Sequence, residues 1–492
     1  MATQPTKMWS GRFREPLDPD FEQWQRSFVF DWRLIPMEAS ASIAHARMIA
    51  AAGILTADEE QQMIEALGQL VRQEGLNDER TIFDAGAPWA DSASQAEDVH
   101  HFVELELKRQ IGDLALKLHT GRSRNEQIAT DMRLYVGDSM YLIAEGMKRW
   151  ALALVELAEQ AGDAVMPSYT HLQRAEPVLV AHWLLAYVSM IERDLSRLAD
   201  CKKRLSFCPL GSGAVAGATL PLDREIASRA LWFTAPTPNS IDATSDRDFA
   251  IEFVQVLSTF ALHISRFAEE ITLFASSEFQ FIELPEAFST GSSAMPQKKN
   301  PDFTELLRGK CSRVTGALST LLMLVKGLPL AYNKDLQEGQ EAVFNASDTI
   351  IEITVLLHRF TSSLRFRYER MQEAASRGYL NAMAAATYLS NKGVPFRKAH
   401  EKIGNAVRFA LESGRELNAL SVEELKQFGD EFGPDFHDAI SLRATIDCHD
   451  VIGGTAMKRV LAALGEARAR LSEQSAVEML DGTLREAEYA RS

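Results

Sequence analysis

The chain has 492 residues, 46% of them hydrophobic and 24% charged, which is enough apolar material for roughly two to four packed domains. Its formal net charge of -16 argues against nucleic-acid or anionic-membrane binding, because both select basic surfaces, although a small anion can still bind in a locally basic pocket. The cysteines lack CxxC spacing, so we expect reduced thiols rather than a disulfide or zinc framework: Cys201, Cys208, Cys311 and Cys448.

The N-terminal residues contain no apolar run typical of a signal peptide. No stretch of about 18 uninterrupted apolar residues predicts a membrane-spanning helix. We therefore expect a cytoplasmic protein.

Residues 1–118 form short amphipathic segments interrupted by glycine and proline, which predicts a small helical domain. A first long helix is predicted after Arg122, although Gly137 and Gly146 lower its helix propensity. A second long helix is predicted from Pro177, because proline suits the first turn of a helix.

The strongest helical pattern runs from Asp242 to Glu278, where glycine and proline are absent and phenylalanine recurs every three or four residues. Further long helices are predicted from Pro301 to about Lys326 and from Gln340 to Arg377. After about Ser376 the pattern returns to shorter segments, and we find no alternating series of strands.

These patterns predict an all-α fold built around a central bundle of five long helices. We expect an N-terminal helical domain over residues 1–118, a central bundle over 119–372 and a small C-terminal helical domain over 373–492. Long rods commonly bury their remaining apolar faces by forming oligomers.

A polar segment between two of these helices, GSSAMPQKKNPD from Gly291 to Asp302, combines two hydroxyls with two ammonium groups and an amide. With Asn300 as N-cap and Pro301 at the first helical position, the free N–H groups of the helix would join the lysines in an anion site. A hydroxyl there could remove a proton next to a carboxylate, while the lysine stabilises the aci-carboxylate that forms. The alternative is a capped helix with a solvated basic loop.

The string GSSAMPQKKNPD resembles the signature of the fumarase/aspartase superfamily, and its Gln-Lys-Lys form resembles the argininosuccinate lyase family. Four other segments resemble that family in the same order, and the similarity covers nearly the full length. They are HTGRSRNEQIATDMR from His119, YTHLQRAEP from Tyr169, NSIDATSDRDF from Asn239 and YNKDLQE from Tyr332. The resemblance implies a three-domain subunit with a central five-helix bundle. It also implies a homotetramer with a twenty-helix core, in which three subunits contribute to each active site.

The resemblance further implies reversible elimination of fumarate from argininosuccinate to give arginine, within arginine biosynthesis and without a metal or other cofactor. Ser292 matches the family's general base, Lys298 the group that stabilises developing charge, and His171 the histidine assigned to proton transfer with Glu305. A serine hydroxyl ionises only if positive charge and hydrogen bonds lower its pKa. Without the resemblance, a lone histidine is usually structural.

Substrate-binding residues of the family map onto eight positions: Ser27, Asp98, Asn125, Thr170, Arg247, Asn300, Tyr332 and Gln337. Each also has a plainer interpretation as a turn hydroxyl, a helix cap, a member of a surface ion pair or a packed loop residue. Arg122 and Arg124 could be solvated or could contact an anion.

Two features depart from the family pattern. After YNKDLQE the family usually continues with Asp-Lys, whereas this chain has Gly339 and Gln340, so an expected lysine contact at position 340 is missing. The segment from Asn77 to Gln95 is longer than usual. The change at position 340 leaves open another amine-eliminating lyase of the same superfamily.

Three other functions fit the sequence less well. Relatives of the family serve as lens crystallins, but retention of Ser292, His171 and Lys298 argues against a silent structural protein. A serine hydrolase is disfavoured because Ser292 lacks the G-x-S-x-G elbow. The glycine run over residues 211–217 follows a predicted helix, which argues against a dinucleotide loop. We also expect no metal site, since the histidines are dispersed apart from the adjacent pair at 100 and 101.

Overall fold

The computed structural model describes residues 15–73, 75–76 and 78–481, and helices make up most of them. The prediction of a helical fold is therefore confirmed, but short strands form four two-stranded sheets that were not predicted. The strands are β1 Val165–Thr170, β2 Gln173–Leu179, β3 Phe207–Cys208, β4 Ala235–Pro236, β5 Ile282–Glu283, β6 Thr290–Gly291, β7 Lys299–Asn300 and β8 Arg365–Phe366.

The chain divides into two compact units, each made of three segments. The first unit contains the described parts of residues 1–138, 203–251 and 320–344. The second unit contains residues 139–202, 252–319 and the described part of 345–492.

The N-terminal helices are short, and several begin at a polar side chain that accepts backbone N–H groups. Thr56 and Glu59 form a capping box, in which each side chain accepts the other's backbone N–H at 3.3 and 3.0 Å. The helices are α1 Pro19–Trp24, α2 Phe28–Asp31, α3 Ile35–Ala51, α4 Ala57–Arg72, α5 Glu79–Ile82, α6 Ala90–Gln95 and α7 Val99–Ile111.

All five predicted long helices are present, together with two shorter ones. The central helices are α8 Arg124–Ala161, α9 Val180–Leu205, α10 Arg224–Ala230, α11 Ser240–Ser245, α12 Asp248–Phe274, α13 Asp302–Val325 and α14 Gly339–Ser363. Among the described helices, none combines the length and apolar character needed to cross a bilayer.

Three of the predicted boundaries were wrong. The helix predicted over 242–278 is interrupted at Asp246, whose backbone leaves the helical region and whose carboxylate accepts the Asp248 N–H at 2.7 Å. The helix predicted from Pro177 begins at Val180, because Pro177 lies in β2 opposite Pro167. The helix predicted to Arg377 ends at Ser363, because the next residues form β8 and pair with β5.

Large aromatic side chains join the long helices within the second unit. Trp150 of α8 lies with its ring centroid 5.9 Å from that of Phe260 and 5.4 Å from that of Phe267, both on α12. Its indole N–H donates to the Thr361 hydroxyl of α14 at 3.1 Å. Gly146 also serves this packing, because an added Cβ would overlap the Thr354 side chain. The glycine that weakened the helix prediction is thus required for close helix contact.

The C-terminal helices surround a separate apolar cluster within the second unit that includes Ala385, Leu389, Ile403 and Phe436. The cysteines are thiols, with Cys448 exposed and the others buried. The remaining helices are α15 Tyr368–Ala375, α16 Ala382–Asn391, α17 Phe396–Glu412, α18 Val422–Lys426, α19 Phe436–Ala439, α20 Leu442–Asp447, α21 Met457–Glu473 and α22 Ala476–Asp481.

Candidate active site

The predicted signature segment is a loop closed by the pairing of β6 with β7. At its base, the Thr290 backbone N–H and hydroxyl both donate to Asp302, at 3.0 and 2.7 Å. Within the loop, Ser292 Oγ accepts the backbone N–H groups of Ala294 and Met295 at 3.2 and 3.1 Å. Because N–H donors stabilise an anionic oxygen, this geometry favours ionisation of the Ser292 hydroxyl.

The two lysines of the loop have different surroundings. The Lys299 ammonium donates to the Leu284 carbonyl, so that side chain is held against the protein. The Lys298 side chain is exposed, and no hydrogen bond from its ammonium is found in the described part of the chain. Lys298 is therefore the lysine that remains available to an anionic ligand.

The start of α13 corrects one prediction. Asn300 belongs to β7 and the helix begins at Asp302, so Pro301 occupies the capping position that was assigned to Asn300. The Pro301 carbonyl accepts the Glu305 N–H at 3.1 Å. Glu305 lies exposed in the first turn of the helix, beside the loop.

His171 stands at the tip of the hairpin formed by β1 and β2, rather than in an irregular loop. Thr170 pairs with Gln173, and the two turn residues His171 and Leu172 have φ values of 55° and 57°. Two consecutive positive φ values define the tight turn that matches strand twist, which is strained for residues other than glycine, asparagine or aspartate. The fold thus presents an exposed imidazole at a fixed position, with Thr170 beside it.

The four predicted catalytic residues all belong to the second unit. Across the residues that the structure describes, no hydrogen bond or ion pair joins Ser292, His171, Lys298 and Glu305 to one another.

In the first unit, three of the other predicted positions are gathered at the N-terminus of α7: Ser27, Asp98 and Gln337. The Ser27 N–H donates to the Glu97 carbonyl at 3.0 Å, and Asp98 caps α7 by accepting the His101 N–H at 2.8 Å. Gln337 donates to the backbone carbonyl of Gln25 at 3.2 Å. The structure therefore brings three separate sequence motifs together at this point.

Buried charges surround this group. Burial lowers the pKa of Arg247 to about 10, despite the opposing influence of Tyr332 and Asp246. Burial also raises the pKa of Tyr332, and the negative charges of Asp98 and Asp31 act in the same direction.

Asp31 was not among the residues predicted from the sequence, and burial and then the charge of Asp98 raise its pKa to about 7. Its signal was its position four residues after Ser27. Asp98 itself forms an ion pair with Arg124 at 3.0 Å.

Asn125 connects this region to the glycine run. Its amide donates to the Ala214 carbonyl at 3.3 Å, while the next residue, Glu126, accepts the Gly213 N–H at 2.5 Å. Glu126 is fully buried, and burial raises its pKa to about 7. The run follows the two-residue strand β3, which corrects the prediction that a helix precedes it directly.

Arg224 holds the base of the glycine run. Its guanidinium donates to the carbonyls of residues 208–210 and 237 and to the hydroxyls of Ser212 and Thr237, at distances between 2.8 and 3.3 Å. The glycine run is therefore a rigid segment beside Asn125. The conformation of this segment depends on its glycines.

We expect Gly213→Ala to destabilise the protein, because Gly213 has φ 61° and an added Cβ would lie 2.8 Å from the Gly217 carbonyl oxygen. The loss should be about 1–3 kcal/mol, visible as a lower midpoint of urea unfolding. Gly465→Ala is the matched control, since Gly465 lies within α21 with no atom within 4 Å of an added Cβ. It should gain up to about 1 kcal/mol. Equal midpoints of urea unfolding for the two variants would contradict the conclusion that the glycine run requires Gly213.

The departure at positions 339 and 340 has a clear structural setting. An added Cβ on Gly339 would lie 3.0 Å from Leu324 Cδ2, so the glycine permits close packing. Gln340 is 4% exposed, and its side-chain oxygen has no hydrogen-bond donor within the described residues. Both line a small cavity that Arg247 also lines.

One group of described side chains has the donor types of a metal site, although none was expected. Glu38, His100 and Asp131 are buried and place one ligand atom each within 4.8 Å of the others. They come from α3, α7 and α8, so sequence spacing gave no signal for the group.

Known proteins match the chain over nearly its full length. A family model described as Lyase matches residues 11–316, and one described as Argininosuccinate lyase C-terminal matches residues 379–447. The chain is 59% identical over 467 residues to the argininosuccinate lyase of Acidobacterium capsulatum, covering 95% of each. It is 52% identical over 469 residues to that of Koribacter versatilis, covering 94% of this chain and 97% of the relative.

Solved structures agree with the fold. EDDS lyase in complex with formate matches with a TM-score of 0.77 and 25% identity over 95% of this chain and 93% of the other. The 3-carboxy-cis,cis-muconate lactonizing enzyme from Pseudomonas putida matches with a TM-score of 0.70 over 89% and 95%, and at 21% identity it supports the fold alone. With these matches and the signature loop, the chain belongs to the argininosuccinate lyase family of the fumarase/aspartase superfamily, and it is a carbon–nitrogen lyase.

Proposed function

We propose that this chain releases fumarate from argininosuccinate to give arginine, by removing a proton from the carbon next to a succinyl carboxylate. The observation that carries the proposal is the environment of Ser292, whose Oγ receives two backbone N–H groups in the loop that also presents Lys298. Identity of 59% to an argininosuccinate lyase supports the choice of substrate.

In the proposed reaction, ionised Ser292 takes the proton and the C–H electron pair moves into the carboxylate, which becomes a dianionic aci-carboxylate. Lys298 and Asn300 stabilise that charge. The electron pair then returns to form the carbon–carbon double bond as the carbon–nitrogen bond breaks. The leaving guanidino nitrogen receives a proton through His171 and Glu305, so that arginine and fumarate leave.

The remaining predicted residues are proposed to hold the substrate. In the first unit, Arg247 supplies a buried cation for a carboxylate, and Asp98 supplies an anion for a cationic group of the arginine half. Polar contacts are assigned to the other predicted positions: Ser27, Asn125, Thr170, Tyr332 and Gln337.

We also propose a homotetramer whose active sites each combine residues from three subunits. Along α13 a buried row at Thr304, Leu307, Cys311 and Val314 faces the chain itself, while other apolar residues point outward. Exposed apolar side chains occur on four of the long helices: Leu142, Leu262, Leu306, Met323 and Val355. Such faces are commonly buried between subunits. Assembly would also bring together catalytic groups that no hydrogen bond or ion pair joins within the described part of one chain.

We also propose that the chain forms three domains, over residues 1–118, 119–372 and 373–492. We further propose a cytoplasmic location and a role in arginine biosynthesis.

The test is to follow fumarate by its ultraviolet absorbance with argininosuccinate, adenylosuccinate, aspartate and malate in parallel. Release from argininosuccinate alone is the expected result. Release from another amine-bearing succinate would favour a related lyase, for which the glutamine at position 340 is the motivating difference. Silence with every substrate would favour a structural protein.

A further inference from the structure

The first unit contains a buried polar network centred on Glu38. Glu38 is 1% exposed, and its carboxylate accepts hydrogen bonds from Ser42 at 2.7 Å and from Gln127 at 2.8 Å. His100 Nδ1 lies 2.8 Å from the second oxygen of Glu38. The Arg122 guanidinium lies 3.7 Å from Glu38, and its side chain is only 5% exposed, so Arg122 is not the solvated residue that the sequence allowed.

Asp131 differs from Glu38 in having no donor. Both of its carboxyl oxygens are buried without a hydrogen-bond partner among the described residues, and one lies 3.6 Å from His100 Nδ1. A buried carboxylate without donors is strongly disfavoured, whereas a protonated carboxyl can donate to a neighbouring carboxylate. Burial, followed by the charge of Glu38, raises the pKa of Asp131 well above its usual range. Burial opposes ionisation of Glu38 too, but His100 and Arg122 outweigh it and lower that pKa.

The network touches the substrate region through sequence neighbours. His100 follows Asp98 by two residues on α7, and Gln127 follows Asn125 by two residues on α8. Asp98 and Arg124 form the 3.0 Å ion pair. Both therefore lie on backbone segments that the network holds in place.

We propose that Glu38, His100 and Asp131 form a positioning triad, in which the two carboxyls share one proton and which holds Asp98 and Arg124 in place for the substrate. The effect on kinetics rests on the proposed function. None of the three side chains is assigned a contact with the substrate.

The side chains of Glu38, His100 and Asp131 could also bind a divalent cation, but the groups around them favour a shared proton. Ser42 and Gln127 already donate an O–H and an N–H group to Glu38, and Arg122 already supplies a positive charge that would repel a metal ion. A bound metal is therefore an alternative outcome of the experiment. The titratable and charged groups that act on the triad or line the cavity beside it are Asp31, His45, Asp98, Glu104, His119, Arg122 and Arg124.

The first arm of the test compares Asp131→Asn with Glu38→Gln in the full chain. Asparagine has the shape and neutrality of a protonated aspartic acid, so Asp131→Asn should keep kcat and KM for fumarate release within threefold. Glutamine removes the negative charge of the carboxylate that accepts the hydrogen bonds of the network. Glu38→Gln should therefore raise KM at least tenfold and change kcat less. Equal damage from both variants, with unchanged helical circular dichroism, would overturn the shared proton.

The second arm measures melting temperature against pH without any substrate. A raised pKa in the folded state means that the unfolded chain ionises first, so Asp131 destabilises the wild type increasingly as pH rises above about 4. Asp131→Asn removes this loss, and its melting temperature relative to wild type should rise between pH 5 and pH 8. Parallel curves would overturn the proposal.

The third arm measures the metal content of the purified proteins. One divalent ion per wild-type chain, lost in both variants, would overturn the shared proton in favour of a metal site. If no protein releases fumarate while the melting curves diverge as expected, the proposed function fails but the proton-sharing pair stands. If wild type is active and Asp131→Asn behaves like Glu38→Gln, the triad fails alone.

Discussion

Ser292→Ala should lower kcat for fumarate release by about 10²- to 10⁴-fold, because it removes the only group in the signature loop assigned to take the proton. The two backbone N–H groups that now point at Ser292 Oγ would lose their acceptor but remain exposed to water. KM should change much less, since binding is assigned to other residues. The measurement is the rate of fumarate formation at saturating argininosuccinate.

Ser293→Ala is the matched control for this variant. Ser293 is the adjacent exposed hydroxyl of the same loop, so its loss should leave kcat within a few-fold of wild type. Both variants should keep the melting temperature and the oligomer size of the parent. Normal turnover by Ser292→Ala would remove Ser292 from the role of base.

Lys298→Gln should lower kcat by about 10²- to 10³-fold, because a charge-stabilising donor acts mainly on the transition state. The ammonium is exposed in the loop, so glutamine removes the positive charge without opening a cavity. Steady-state kinetics with argininosuccinate should show a larger change in kcat than in KM.

Lys299→Gln provides a comparison with the same chemistry one residue away. The Lys299 ammonium is bound to the Leu284 carbonyl, so this substitution should loosen the loop and reduce kcat less than tenfold. A larger loss of kcat in Lys299→Gln than in Lys298→Gln would show that Lys299, and not Lys298, supplies the stabilising charge.

The helical fold was predictable because burial recurs every three or four residues along each long helix. The buried row on α12 that contains Phe253, Phe260 and Phe267 carries this information in the sequence itself. The helix ends were less predictable, since they depend on partners elsewhere. The end of α14 is set by the pairing of β8 with β5, and no glycine or proline marks it.

The site was predictable to the extent that motifs mark it. Resemblance supplied Ser292, His171 and Asp98, and the structure supplies the hydrogen bonds around Ser292 and the ion pair of Asp98. Glu38 and Asp131 could not be inferred from spacing, because they meet only when α3, α7 and α8 pack together.

The turn that carries His171 constrains how the protein can be altered. Side chains alternate between the two faces of a strand, so one residue added to each of β1 and β2 would turn the imidazole to the opposite side of the ribbon. Two residues added to each strand would restore the facing but advance the ring by about 7 Å. The reach of this histidine can therefore change only in discrete steps, and gradual adjustment has to come from the surface that the ribbon approaches.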